Sequence, residues 1–212
     1  MVCRSDDGVR WSPTLARRVR SPQTLSEADR RLVAAWAADC AERVVGLFEA
    51  EAPFDNRPRA LIARTRAFAR GELNTSEEIR RRFVGGVPAS EVTAPAAAAA
   101  ARAAGQAVAT CHMGAHALGA AAYAIRAASL AAPDRPEVVN DEIRWQLTHM
   151  TAEVRAALSA LPPVGENSSG PLGPGLLASG QLGTIIRDLQ IGLAESVRRD
   201  RESIQASSAT DH

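Results

Sequence analysis

The sequence predicts an all-α protein: a single helical bundle of about six to eight helices around a central Ala/Gly-rich helix or helix pair. Three observations carry this. Apolar residues recur at three- and four-residue spacing in one segment after another. Residues that start or stop helices bound those segments, with Ser26, Thr75 and Thr151 at starts and Pro53, Pro133 and Pro162 at stops. No run alternates apolar and polar residues with β-branched enrichment, so no strand is expected.

Residues 1–23 are polar, hold Pro13 and Pro22 and lack any period, so they read as a poorly ordered leader. The all-α domain is expected over 24–202. Ser26 can accept from the first-turn N–H groups of a helix whose stripe is Leu32, Trp36, Cys40, Val44, Leu47 and Phe48, with Asp39 and Arg43 as an i,i+4 pair elsewhere on its surface. Pro53 stops this helix. Pro58 suits the first turn of the next, where its missing N–H is not needed. Leu61, Ile62, Thr65 and Phe68 form the inner face there. Thr75 and Glu78 have capping-box spacing, Arg80–Arg82 fill the last turn, and Gly85-Gly86 ends this third helix.

Alanine fills nearly half of 88–132, with breaks or bends expected near Pro95, Gly105, Gly114 and Gly119. Alanine lacks the volume for an outer wall but lets backbones approach, so this is the expected centre. Val139, Ile143, Leu147 and Met150 repeat helically beside Trp145. Thr151 caps a helix through Leu161. Residues 162–177 are a Pro/Gly loop, 179–202 an amphipathic last helix, and 203–212 an expected frayed tail.

The chain has 212 residues, with 25 basic and 24 acidic side chains and a net charge of +1. Every basic residue is arginine, which GC-rich codon usage explains as well as any ligand would. The balance argues against a dedicated nucleic-acid binder. Three cysteines without CxxC spacing argue against a disulfide framework and for a reducing, cytoplasmic setting. The N-terminus has no apolar core of a secretory signal. Residues 103–125 are uncharged and long enough to span a bilayer, but they are mostly Ala and Gly with Gln106, His112 and His116, so a buried helix is expected instead.

Chemistry could reside in Cys111-His112-Met113-Gly114-Ala115-His116. On a continuous helix His112 and His116 share a face, the spacing of paired metal-binding histidines. No Glu follows His112, and a third ligand would have to come from Cys111, His149 or a carboxylate. Gly105, His112, His116, Gly119 and Tyr123 fall on one stripe. The leading reading is therefore a structural polar seam, with metal binding and acid–base catalysis as the alternatives. Asp141-Glu142 and Glu77-Glu78 are adjacent and point about 100° apart on a helix, so they do not pair as di-iron carboxylates do. There is no phosphate-binding loop and no nucleophile elbow. No cofactor and no catalytic residue is expected. The charges Arg64, Arg66, Arg70, Glu77, Arg80, Arg81 and Arg82 are the candidates for contacting a partner, against the plainer reading of a solvated face.

The run LSEADRRLVAAWAADCAERVVGLFEAEAPFDNRPRALIARTRAFARGE at 25–72 resembles the opening of the actinobacterial Imm-5-like immunity-protein family. AARAAGQAVATCHMGAHALGAAAYAIRAASLA at 100–131, with Gly105, His112, His116, Gly119 and Tyr123, resembles its central signature, and DEIRWQLTHM at 141–150 its third block. The resemblance covers about 24–161, and 162–190 is similar to an extension some members carry. It departs at 73–95, where members tend to have an Ala-rich helix and this chain is Arg-rich. The resemblance implies a cytoplasmic, non-enzymatic protein that binds and neutralises a cognate toxin; the composition adds that no membrane partner is expected and that nucleic acid is an unfavoured one. The rival readings are a metal-dependent enzyme centred on His112 and His116, and a nucleic-acid-associated protein using Arg80–Arg82 and the basic leader.

Overall fold

A computed structural model describes residues 21–81 and 88–210. Among them lie eight α-helices and no strand: α1 (Glu27–Glu51), α2 (Arg57–Ala69), α3 (Thr75–Arg81), α4 (Pro95–Ala109), α5 (His116–Ala131), α6 (Glu137–Thr148), α7 (Ala152–Ser159) and α8 (Gly180–Thr210). The chain is all-α, as its patterning predicts. Arg82, the Gly85-Gly86 stop and residues 1–20 of the leader lie outside the described residues.

The centre is the antiparallel pair α4–α5, with α1 packed across both. Ten residues of α5, from Ala117 to Ala127, are buried, and so are eight alanines of α4. Their short side chains let the backbones close together while Leu118, Ile125 and Tyr123 fill the remaining space. The long Ala-rich segment is thus two helices. Pro95 opens the first, the chain turns at 110–115 around Gly114, and Gly105 and Gly119 sit inside helices without bending them apart.

Local chemistry explains the boundaries. Ser26 caps α1 by accepting from Asp29 N–H at 3.1 Å, and Thr151 caps α7 by accepting from Val154 N–H at 3.3 Å. The buried stripe of α1 runs through Val33, Trp36, Cys40, Val44 and Phe48, while Leu32 faces outward. The expected Thr75–Glu78 capping box does not form. Asn74 caps α3 instead, accepting from Ser76 and Glu77 N–H at 3.0 and 3.2 Å, which frees Glu78 to turn inward. The expected Asp39–Arg43 pair is also replaced: each finds a partner on another helix, Arg66 and Glu142 respectively.

α6, α7 and α8 close the other side, with α8 laying Leu182, Ile185, Ile186, Leu189 and Leu193 into the core. Helical backbone continues in α8 to Thr210. The 162–177 loop is tied down by side-chain amides. Gln190 accepts from Val164 N–H and donates to Pro162 O, both at 3.0 Å. Gln23, wholly buried, donates to Ser169 O at 2.6 Å and accepts from Leu172 N–H at 2.9 Å. Gly170, at φ +83°, lies so close that a Cβ there would meet the Gln23 amide at 2.7 Å. Thr24 O and Gln23 O in turn accept from Gly114 and Ala115 N–H. The segment just before α1 therefore joins the α4–α5 turn to the late loop, and the leader boundary drawn at residue 23 runs through this anchor.

Candidate functional site

The sequence singles out the histidine pair, and the structure places it at the α4–α5 turn rather than on one continuous helix. Thr110 Oγ1 bonds back to Ala107 O at 2.7 Å as α4 ends. The N–H groups of Gly114 and Ala115 are drawn off by the segment before α1, so the helical ladder is interrupted between the two histidines. His112 lies in the turn and His116 opens α5. The turn is tight enough that the rings still meet, with centroids 4.9 Å apart and planes tilted by 51°.

His116 Nδ1–H donates to Gln106 Oε1 at 2.8 Å, a link from the start of α5 back to the end of α4. Gly119, one turn further along α5, leaves the space for that amide. A Cβ there would fall on Gln106 Oε1, far inside van der Waals contact, and 2.9 Å from Leu177 Cδ1. Burial, with the neighbouring His112 adding to it, pushes the His116 pKa down to about 3, so the imidazole is neutral at ordinary pH. Tyr123 lies two turns along α5 in the core, its hydroxyl pKa raised by burial. Gly105, half-buried in α4, precedes Gln106.

The two side chains named as possible third ligands lie elsewhere. Cys111 is buried among Ala34 and Phe68, and His149 stacks on Trp145 at 4.0 Å. Among the described residues no three His, Cys, Asp or Glu side chains gather at metal-binding distance. What the arrangement provides is a tie between two close helices across their turn, the His116–Gln106 bond. Gln106, which completes it, was not singled out from the sequence. The available signal was an uncharged polar side chain interrupting an alanine run.

The candidate partner charges divide into two groups. On α2 they are held by carboxylates of the chain itself. Arg64 Nη2 donates to the buried Glu78 carboxylate at 3.0 Å, with a second bond from Nε. Arg66 reaches Asp39 at 2.8 Å and Glu42 at 3.0 Å. Arg70, just past the end of α2, binds Glu72 through two bonds of 2.6 and 2.8 Å. On α3, by contrast, Glu77, Arg80 and Arg81 are exposed.

A further cluster on α1 and α6 was not legible from spacing. Arg43 forks onto Glu142 with bonds of 2.9 to 3.0 Å and lies 3.8 Å from the Trp145 ring centroid. Trp36 Nε1–H donates to Gln146 O at 3.0 Å. The cluster fastens α6 to α1.

No helix among the described residues is long and apolar enough to cross a membrane. Neither the curated proteins nor the solved structures yield a match to the chain. A family model does match, and its span takes in α1 to α6, the histidine turn and the Arg43 cluster. Residues 23–153 fit the model described as "Imm-5 like putative immunity protein", and the chain belongs to that family.

Proposed function

We propose that the protein acts by binding rather than by catalysis, as a cytoplasmic interaction protein that neutralises a cognate bacterial toxin. Family membership over 23–153 is the observation that carries this reading. The histidine turn supports it, because the His116–Gln106 bond serves to tie α5 to α4. His116 is neutral and bonded to Gln106, and the pair lacks a third ligand among the described residues. Cys40 and Cys111, both buried and not joined to each other, accord with a reducing compartment.

The contact surface is assigned to α3. Arg64, Arg66 and Arg70 would have to leave ion pairs before engaging a partner, whereas Glu77, Arg80 and Arg81 are exposed, with Arg82 continuing the same run. Arginine at a desolvated contact is a frequent source of binding energy. The test is co-expression with the product of a neighbouring toxin gene. Arg81→Glu is expected to keep the melting temperature and abolish both complex formation and protection. His112→Ala and His116→Ala are expected to lower protection only as far as they lower the folded fraction. Protection that survives without a complex and tracks the two histidines would overturn the binding reading in favour of a metal-dependent enzyme.

A further inference from the structure

The last turn of α6, the first turn of α7 and the distal half of α8 enclose a groove of about 270 Å³. Its floor is Leu147, wedged against Gly192 of α8. Three guanidinium groups line it, one from each helix: Arg144, Arg155 and Arg199. Among the described residues, Asp200 is the carboxylate in the lining.

The three arginines are not equivalent. Arg155 is largely buried and fully used, with Nε and Nη2 on Asp200 at 3.1 and 3.0 Å and Nη1 on Met150 O at 2.6 Å. It neutralises Asp200 and sets the back wall. Arg199 is steadied by one bond to Ser196 Oγ at 3.2 Å, and Arg144 by a pair with Asp141 at 3.1 Å in which both side chains are more than half exposed. Such a pair is weak, and most N–H donors of these two groups remain available. The lining groups Arg144, Arg155, Arg199 and Asp200 thus carry an excess of positive charge, with Arg144 only weakly held by Asp141, over an apolar floor and with forked donors that suit planar or tetrahedral oxyanions.

We infer that this groove binds a small multivalent oxyanion, a phosphate monoester or a polycarboxylate, and that the bound anion clamps α8 to α6. The place of the groove in the fold gives the clamp its meaning. Among the described side chains of α8, Leu193 is the last large one buried in the core, and beyond the half-buried Val197 the Arg155–Asp200 bridge ties α8 to α7. An anion held by Arg144 and Arg199 adds a further tie at that level and offsets the repulsion among the guanidinium groups that line one groove. Arg155 and Arg199 lie beyond residues 23–153, so the site is an addition to the family core. It does not rest on the toxin-binding reading.

The experiment is calorimetric titration of the full chain at low ionic strength with inorganic phosphate and with citrate, and with chloride at matched ionic strength. One saturable site is expected for phosphate, citrate or both, and none for chloride; which of the two binds more tightly identifies the source. Affinity is expected to fall at least tenfold in Arg144→Gln and in Arg199→Gln and to stay within twofold in Arg187→Gln, an exposed α8 arginine outside the groove. Exposed positions are chosen so that circular dichroism can verify an unchanged fold. Hydrogen exchange of α8 amides after Leu193 is expected to slow on anion addition, and not in Arg199→Gln. Absence of saturation, an equal response to chloride, or binding retained in both groove variants overturns the site. Binding without slower exchange overturns the clamp.

Discussion

Gly119→Ala tests the histidine turn most directly. The new methyl group would overlap Gln106 Oε1 and lie 3.1 Å from Gln106 Cδ and 2.9 Å from Leu177 Cδ1. The amide ends a flexible side chain and can swing away, but only by releasing His116 Nδ1–H, now held at 2.8 Å. Leaving that donor unpaired in a site mostly removed from water costs about 1–3 kcal/mol. Pressing on Leu177 adds up to about 1 kcal/mol, and the better helix propensity of alanine returns up to about 1 kcal/mol. The net expectation is a loss of about 1–2 kcal/mol, or a fall of roughly 3–6 °C in Tm for a chain of this size. Gln106→Ala alone should cost a similar amount by losing the same bond. In that background Gly119→Ala meets only Leu177 and should be nearly neutral. Thermal and urea unfolding of the four proteins should therefore give a coupling of about 1–2 kcal/mol. Additivity within about 0.5 kcal/mol would refute the contact on which the seam rests.

Three further outcomes are expected. Because His116 stays neutral in the fold with a pKa pushed down to about 3, while an unfolded histidine protonates below about pH 6.5, its contribution is complete above that pH and is lost as the pH falls, by about 2 kcal/mol at pH 5. Unfolding curves at pH 8 and pH 5 should show His116→Gln losing less stability than the parent, and parallel losses would remove His116 as the cause. Glu78→Gln, which strips the buried carboxylate from Arg64, should lower stability by about 1–3 kcal/mol, tempered by the partial exposure of Arg64; a chemical-denaturation midpoint unmoved by the change would rule out that bridge as structural. Gln23→Ala, which orphans the buried Leu172 N–H and releases Ser169 O, should cost about 1–3 kcal/mol and speed amide exchange in the 165–173 loop, and protection there equal to the parent's would contradict the anchoring role.

The helices were legible because their signals are local. Ser26 and Thr151 act as caps through groups three residues away, and the stripes of α1 and α8 repeat within single elements. What escaped depends on contacts distant in the chain. Thr75 and Glu78 have the right spacing for a capping box, but Arg64 on another helix offers Glu78 a stronger bond, and Asn74 takes over the cap. Asp39 and Arg43 have helical pairing distance, yet a forked bond to Glu142 with a Trp145 face beneath outweighs an exposed i,i+4 pair. The same holds for the histidines. Their four-residue spacing suggests a shared helix face, and only the carbonyls of Gln23 and Thr24, far earlier in the chain, reveal that the ladder breaks between them.

The alanine-built centre has a consequence for how this protein can change. A buried leucine loses rotameric freedom on folding, and alanine has none to lose, so α4 and α5 are ordered at little side-chain entropy. Each alanine also covers little area, so cohesion there comes from many short-range backbone and methyl contacts. Substitution in such a core is one-sided. There is almost nothing to delete, and nearly every replacement adds volume where two helices already touch. Variation tolerated by the fold is thereby pushed outward, to α3, to the late loop and to the distal half of α8.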